Sequence, residues 1–463
     1  MQKINKNSNI TSSSLNLSGK QLTKIEDLPN SLTHFICCSN QITKIENLPD
    51  SLIQVNCFYN QITKIENLPN SLTEFICYNN QITKIENLPN SLTHIDCSGN
   101  KITKIENLPA SLNQLFCNYN QITAIENLPD SLTQFYCNSN LIQKIENLPD
   151  SLTEFYCYIN KITKIENLPE SLTQFDCSRN PITKIENLNK FLTQFTCDNN
   201  QIQKIENLPD SLTKFHCQTN KITKIENLPD SLTQFYCTGN KITKFENLPG
   251  LLSAFNCSSN EITKIENLPD SLNWFGCYDN QITKIENLPN SLIQFNCGRN
   301  QITKIENLPD SLKLFSCDVN QITKIENLPL TLTQFYCTEN KIAKIENLPA
   351  FLLEFDCSSN EITKIENLPD SLTAVNFEGN PVKYLDDVEM FDSDFTVYDF
   401  SSSFSEYKAV KKLQKRVKRR HLIKDLAIRR IQAGCYNWIW KPKCKDRSIG
   451  IQLKLGLKDV NEM

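Results

Sequence analysis

One twenty-residue line, "KITKIENLPDSLTQFYCTGN" from Lys221 to Asn240, recurs with few changes from about Leu22 to Asn380. A fixed period of this length argues against a series of ordinary domains and predicts a stacked array. Within the line, "TQFYC" alternates sides, Phe235 and Cys237 falling on one and Gln234 and Tyr236 on the other, which is the periodicity of a strand. One strand per line, always in the same chain direction, predicts a parallel sheet. The return stretch "ITKIENLPDSL" holds Pro229 and is too short for a full helix, so it is expected to run extended or as a turn of 3₁₀ helix. Proline fills that slot in every line except at Asn189. A single line buries too little apolar surface to offset the entropy of ordering twenty residues. Stacked lines share one core, and stability becomes a sum over neighbouring interfaces.

Reading outward from Asn240, the apolar positions are Leu232, Phe235, Cys237, Ile242, Phe245 and Leu248. The pattern L-x-x-F-x-C-x-x-N-x-I-x-x-I-x-x-L-P resembles the consensus of the leucine-rich-repeat family. Its twenty-residue period and "LPDSL" are similar to the short repeat type of bacterial secreted effectors. This resemblance implies a repeat solenoid: a leucine-rich-repeat horseshoe or superhelix with a parallel β-sheet on the concave face and extended or 3₁₀ convex segments. Some bacterial relatives of this type carry a C-terminal ubiquitin ligase domain, which the short basic end of this chain does not resemble. Heavy Ile, Asn and Lys usage, near-perfect repeats and the tail "NWIWKPKCKD" resemble leucine-rich-repeat proteins of giant amoeba-infecting DNA viruses. That likeness implies an interaction protein of host cytoplasm or virion.

Of the 20 cysteines, 17 recur every twenty residues from Cys37 to Cys357, the others being Cys38, Cys435 and Cys444. A column of thiols at one apolar position behaves as a row of small buried hydrophobes. So many unpaired thiols point to a reducing, intracellular compartment. No signal-peptide h-region and no run of 18 apolar residues is visible in the sequence. Asn closes every line from Asn40 to Asn380, and an amide with two donors and a two-lone-pair acceptor suits a turn that exposes backbone groups. The expectation is a buried asparagine ladder. Lys and Glu two places apart, as at Lys224 and Glu226, form columns of opposite sign on a solvated face, with Ala124 the break in the Lys column.

Variation between lines gathers at the two outward strand positions and the two residues before the Asn, the sheet face and edge that solenoids use for binding. With strands about 4.8 Å apart, some eighteen lines give a face roughly 90 Å long. Aromatic residues recur there, and the candidate partner-binding set is Phe58, Tyr78, Phe116, Tyr136, Tyr156, Tyr158, Tyr236, Trp274, Tyr278 and Tyr336, with Tyr59 and Tyr119 on the edge. Tyr and Trp anchor protein interfaces. Asp96, Asp176, Arg179, Asp198, Lys214, Arg299 and Asp356 intersperse with them. Tyr136, Tyr156 and Tyr158, on consecutive lines, are expected to form one patch.

The ends differ from the array. Residues 1–21 read as an N-terminal tail and degenerate capping repeat, with Lys20 where Asn is due; 22–388 as about eighteen repeats; 389–405 as a C-terminal cap and linker; and 406–463 as a basic amphipathic helix and a short strand, a small α+β tail. From Ser401 to Met463 there are 17 Lys and Arg against 5 Asp and Glu, although the whole chain has a net charge of −4. Lys411, Lys412, Lys415, Arg416, Lys418, Arg419 and Arg420 make a basic face suited to nucleic acid, an anionic membrane or a helix partner.

Catalysis finds no footing. Four histidines, His34, His94, His216 and His421, are scattered, and no phosphate-cradling glycine loop or paired nucleophile and base appears. No cofactor, metal or small-molecule substrate is implied. The sequence therefore predicts a non-catalytic module that binds a protein partner, a host protein on the viral reading, through its variable face. The alternative is a structural scaffold without specific ligand, its basic helix binding nucleic acid or an anionic membrane.

Overall fold

The computed structural model describes residues 13–389, apart from 146, 166, 186–187, 226, 246, 306, 366–367, 382–383 and 386–387. They fall into two compact units, Met1–Lys241 and Ile242–Met463. Each is a parallel-strand solenoid with one turn per sequence line. In the first unit three-residue strands run from Ser14–Asn16 and His34–Ile36 every twenty residues to Gln234–Tyr236. Each pairs in parallel with the next at an offset of twenty, as in Phe155 with Phe175 and Phe195 with Phe215. In the second unit the same ladder runs from Ala254–Asn256 to Ala374–Asn376. Main-chain bonds continue past the strands: the Cys57 N–H donates to the Ile76 carbonyl at 2.8 Å and that of Gln61 to Ile42 at 2.9 Å.

Why the strands are so short follows from the backbone beyond them. The residue before each closing Asn is left-handed, including β-branched Ile159 (φ 55°), Thr219 (φ 51°) and Val319 (φ 53°). That conformation ends the extended run and turns the chain inward. A second left-handed position lies in the return stretch at Asn67, Asn87, Asn107 and their equivalents. The otherwise unexplained fixed Asn of "IENLP" has this cause, because Asn tolerates the left-handed region better than most side chains.

The core is built from columns. Leu152, Phe155, Cys157 and Ile162 show no exposed surface, nor do their equivalents at Leu232, Phe235, Cys237 and Ile242. Phenylalanine rings stack along the column, Phe135, Phe155 and Phe175 lying 5.4 and 5.5 Å apart at 9–11°. The position of Leu248 departs from the expected core set: it is half-buried, while the neighbouring Pro249 is buried. Phe245 is half-buried too and meets Phe255 edge-on at 5.1 Å.

The closing Asn column ties each turn to the one before it. Nδ2 of Asn140 donates to the carbonyls of Cys117, Cys137 and Asn138 at 3.0–3.2 Å, and its Oδ1 accepts from the Ile122 N–H at 3.0 Å. The expected ladder is present, with every polar atom of the amide engaged.

Among the described residues the return stretch is extended and carries no 3₁₀ helix. A single i→i+3 bond, Leu232 N–H to the Pro229 carbonyl at 3.1 Å, marks its turn. Isoleucine bridges such as Ile85 with Ile105 form a thin second ladder there. The Ser231 hydroxyl then donates to Leu212 of the preceding turn at 2.8 Å. Where Asn189 replaces proline, Phe191 replaces that serine; Asn189 Nδ2 donates to Leu172 at 3.0 Å, supplying the bond the missing hydroxyl makes elsewhere.

At the C-terminal end Tyr384–Leu385 pairs with Lys364–Ile365 in parallel and with Val388–Glu389 in antiparallel. The expected basic helix, its Lys411, Lys412, Lys415, Arg416, Lys418, Arg419 and Arg420, and the short strand after it lie outside the described residues.

Candidate protein-interaction surface

Strand alternation leaves the first and third residues of strands such as Gln134–Tyr136 and Glu154–Tyr156 on the open face, half-buried, while the middle one enters the core. Because the register is an unbroken twenty-residue offset, side chains from consecutive lines form outer columns. In Met1–Lys241 the third-residue column reads Asp96, Phe116, Tyr136, Tyr156, Asp176 across five neighbouring strands. Phe116 and Tyr136 stack at 4.5 Å, and Tyr136 and Tyr156 pack at 4.6 Å with a 31° tilt. His94 meets Phe116 edge-on at 5.0 Å. A continuous aromatic stripe, bounded by one aspartate at each end, is the result.

Hydrogen bonds hold the stripe in place. The Tyr136 hydroxyl donates to Glu154 at 2.5 Å, Gln134 donates to the same carboxylate at 3.1 Å, and the Tyr156 hydroxyl donates to Gln174 at 2.7 Å. Burial, then the Glu154 carboxylate, pushes the Tyr136 phenol above its ordinary range, and burial does the same for Tyr156, so both stay neutral donors. Burial also raises the Asp176 carboxyl, opposed by hydrogen bonds from the Ser178 hydroxyl at 2.5 Å and amide at 2.9 Å.

Of the three residues expected in one patch, Tyr136 and Tyr156 are brought together. Tyr158 instead has the Tyr119 phenol as an electrostatic neighbour, on the edge where Tyr119 is 62% exposed. Phe58 and Tyr78 form a second cluster, stacked at 4.4 Å with Tyr59 edge-on to both. Tyr236 packs on His216 at 4.6 Å. In Ile242–Met463, Trp274 lies in register between Ala254 and Gln294. The Tyr278 ring covers Gly298, where a Cβ would come within 2.9 Å of it. Tyr336 donates its hydroxyl to Glu354.

Two residues outside the sequence-based set belong to this face. His94 and His216 fall in outer columns, a placement that counting lines of twenty gives directly. The His216 Nε2 is buried without a hydrogen-bond partner among the described residues, and burial lowers its proton affinity. Leu330, 76% exposed, and Phe351, 69% exposed, stand on the turns before the strands of the second unit.

The cysteine column offers no reactive site. All 18 cysteines of the described residues are free and buried. Burial raises thiols such as Cys157 and Cys277 well above their usual range, which keeps them protonated and inert. No group of three or more His, Cys, Asp or Glu among the described residues is placed to hold a metal ion, and no described helix is long and apolar enough to cross a membrane.

This architecture defines the class: a leucine-rich-repeat solenoid. The family signature described as leucine rich repeats (2 copies) matches residues 70–110, and no curated protein matches the sequence. Among solved structures the fold is similar to YopM from Yersinia enterocolitica, with a TM-score of 0.74 at 24% identity over 84% of this chain and 91% of that one. The functional domain of InlJ from Listeria monocytogenes, whose structure includes a cysteine ladder, gives 0.60 at 25% identity over 68% and 74%. CroV588, a circular leucine-rich-repeat structure, gives 0.53 at 26% identity over 78% and 63%.

Proposed function

We propose that the protein is a non-catalytic interaction module that holds a protein partner against the open sheet face of Met1–Lys241. The observation that carries this reading is the stripe Phe116, Tyr136 and Tyr156 between Asp96 and Asp176, standing where the fold leaves residue choice free. The rings are held by hydrogen bonds before any partner arrives, so little side-chain entropy is lost on binding. Phe58 with Tyr78 supplies a second contact on the same unit. Free, buried thiols throughout the array fit a reducing compartment, host cytoplasm or virion on the viral resemblance.

Affinity capture from a host lysate with the parent and with a Phe116→Ser, Tyr136→Ser, Tyr156→Ser variant tests the proposal, followed by titration of the purified partner against both. The expected loss is at least about a hundredfold in affinity, since interface anchors cost about 2 kcal/mol or more each. Equal affinity of parent and variant for the same partner would support a scaffold role instead.

A further inference from the structure

The open face of Ile242–Met463 divides sharply. From Ala254 to Gly298 its outward strand positions are Ala254, Asn256, Ser258, Trp274, Gly276, Tyr278, Gln294, Asn296 and Gly298, without a charge among them, and the adjoining edge carries Asp279 and Arg299, which neutralise each other as an ion pair at 3.3 Å. Over the last four strands of the twenty-residue ladder, Leu314–Ser316 to Ala374–Asn376, the corresponding positions and the adjoining edge carry Asp318, Glu339, Glu354, Asp356 and Glu378, and no Lys, Arg or His.

Asp318, Glu354 and Asp356 are held by hydrogen bonds from neighbouring groups. Asp356 accepts from the Ser358 amide at 2.9 Å and hydroxyl at 2.7 Å, and from Asn376 Nδ2 at 3.0 Å. Asp318 accepts from the Thr338 amide at 2.8 Å and the Ser316 hydroxyl at 2.7 Å, and Glu354 accepts from Tyr336. Carboxylates of one sign on neighbouring strands give the face a negative potential that favours a cation placed over it.

The same chain holds the complement. Lys408 to Arg420, "KAVKKLQKRVKRR", has eight Lys and Arg and no acidic residue. It is joined to the last described strand, Val388–Glu389, by 390–407, a link that reaches at most about 60 Å when extended. The acidic face begins on the strand Ala374–Asn376 and spans three strand spacings, or about 15 Å. A link of this length can therefore span the distance to that face, and being part of the same chain favours the basic segment over ligands in free solution.

We infer that residues 408–420 dock in the same chain on the acidic face formed by Asp318, Glu354, Asp356 and Glu378 with Tyr336. Tyr336 then offers a ring beside the carboxylates on which a Lys or Arg side chain can rest. The contact is electrostatic and weakens with salt. It covers the basic segment, which binds polyanions only when the face is neutralised or otherwise occupied.

The full-length chain tests this directly. Carbodiimide cross-linking in dilute solution is expected to join Lys411, Lys412, Lys415 or Lys418 to Glu354, Asp356 or Glu378, with yields falling severalfold at about 0.5 M salt, where screening is short-ranged. Absence of those links, or links mainly between isotopically distinct chains, overturns the proposal. Brief native trypsin digestion gives a second reading. A Glu354→Gln, Asp356→Asn, Glu378→Gln variant should be cut within 408–420 about fivefold faster, because cleavage follows the population of the open form. An Asp130→Asn, Asp150→Asn variant, altered at exposed turns of the other unit, should be cut at the parent rate. That triple variant should also bind oligouridine RNA or phosphatidylserine vesicles more tightly than the parent. Equal binding by both shows that the segment is free for nucleic acid or membrane and overturns the intramolecular contact.

Discussion

Two aromatic ladders climb overlapping turns of Met1–Lys241, one inside and one outside. Inside, Phe135, Phe155 and Phe175 sit 5.4–5.5 Å apart, fully enclosed. Outside, Phe116, Tyr136 and Tyr156 sit 4.5–4.6 Å apart, half-buried and bounded by aspartates. The inner ladder persists because each ring packs on the line above and the line below, so a change is felt by two neighbours. The outer one stops after three rings because nothing in the stack requires it. Repetition therefore reports what folding demands, and its interruption reports where the chain is free to serve another molecule.

Substitutions that strike each ladder in turn should separate these roles. Phe155→Ala opens a cavity between two turns and should cost roughly 4 kcal/mol in urea unfolding, with partner affinity unchanged where the protein remains folded. Asn140→Ala removes four hydrogen bonds and strands buried backbone groups, for a loss of about 3 kcal/mol. If its effect on unfolding proved negligible, the inner column would not be what couples one turn to the next. On the outside the sign should reverse: Ile159→Gly relieves a β-branched residue at φ 55° and should stabilise by roughly 1 kcal/mol.

The smallest expected effect is a pH dependence. Burial holds the folded His216 below its ordinary 6.5, so the native state binds fewer protons than the unfolded chain as pH falls beneath that value. Stability from the neutral ring is complete above 6.5 and is lost on acidification. A His216→Gln variant should therefore lose less stability than the parent between about pH 7.5 and pH 5. An equal loss would remove His216 from the account.

The period, the strand at every "QFY" and the inward Leu, Phe, Cys and Ile columns were legible because alternation and a twenty-residue register dictate them. The Asn of "IENLP" was not, since its cause is a left-handed backbone angle that no hydrophobic pattern reports. Spacing alone assigns Leu248 to the core, whereas the turn at Pro249 buries the proline and leaves the leucine half-covered. Closeness in sequence groups Tyr158 with Tyr136 and Tyr156; its place near the edge beside Tyr119 depends on how the chain leaves the strand. Asn189 reads as a lapse in the proline column until its amide is seen to replace the hydroxyl lost at Phe191.

Alkylation of the folded protein reaches the central claim most directly. Iodoacetamide at about pH 8, with each cysteine followed by mass spectrometry, should leave the column from Cys37 to Cys357 unmodified until urea unfolds the chain, because these thiols are enclosed and held protonated. Modification of that column in the native protein, at the rate of an exposed thiol, would show that the turns do not stack with their sulfurs inward.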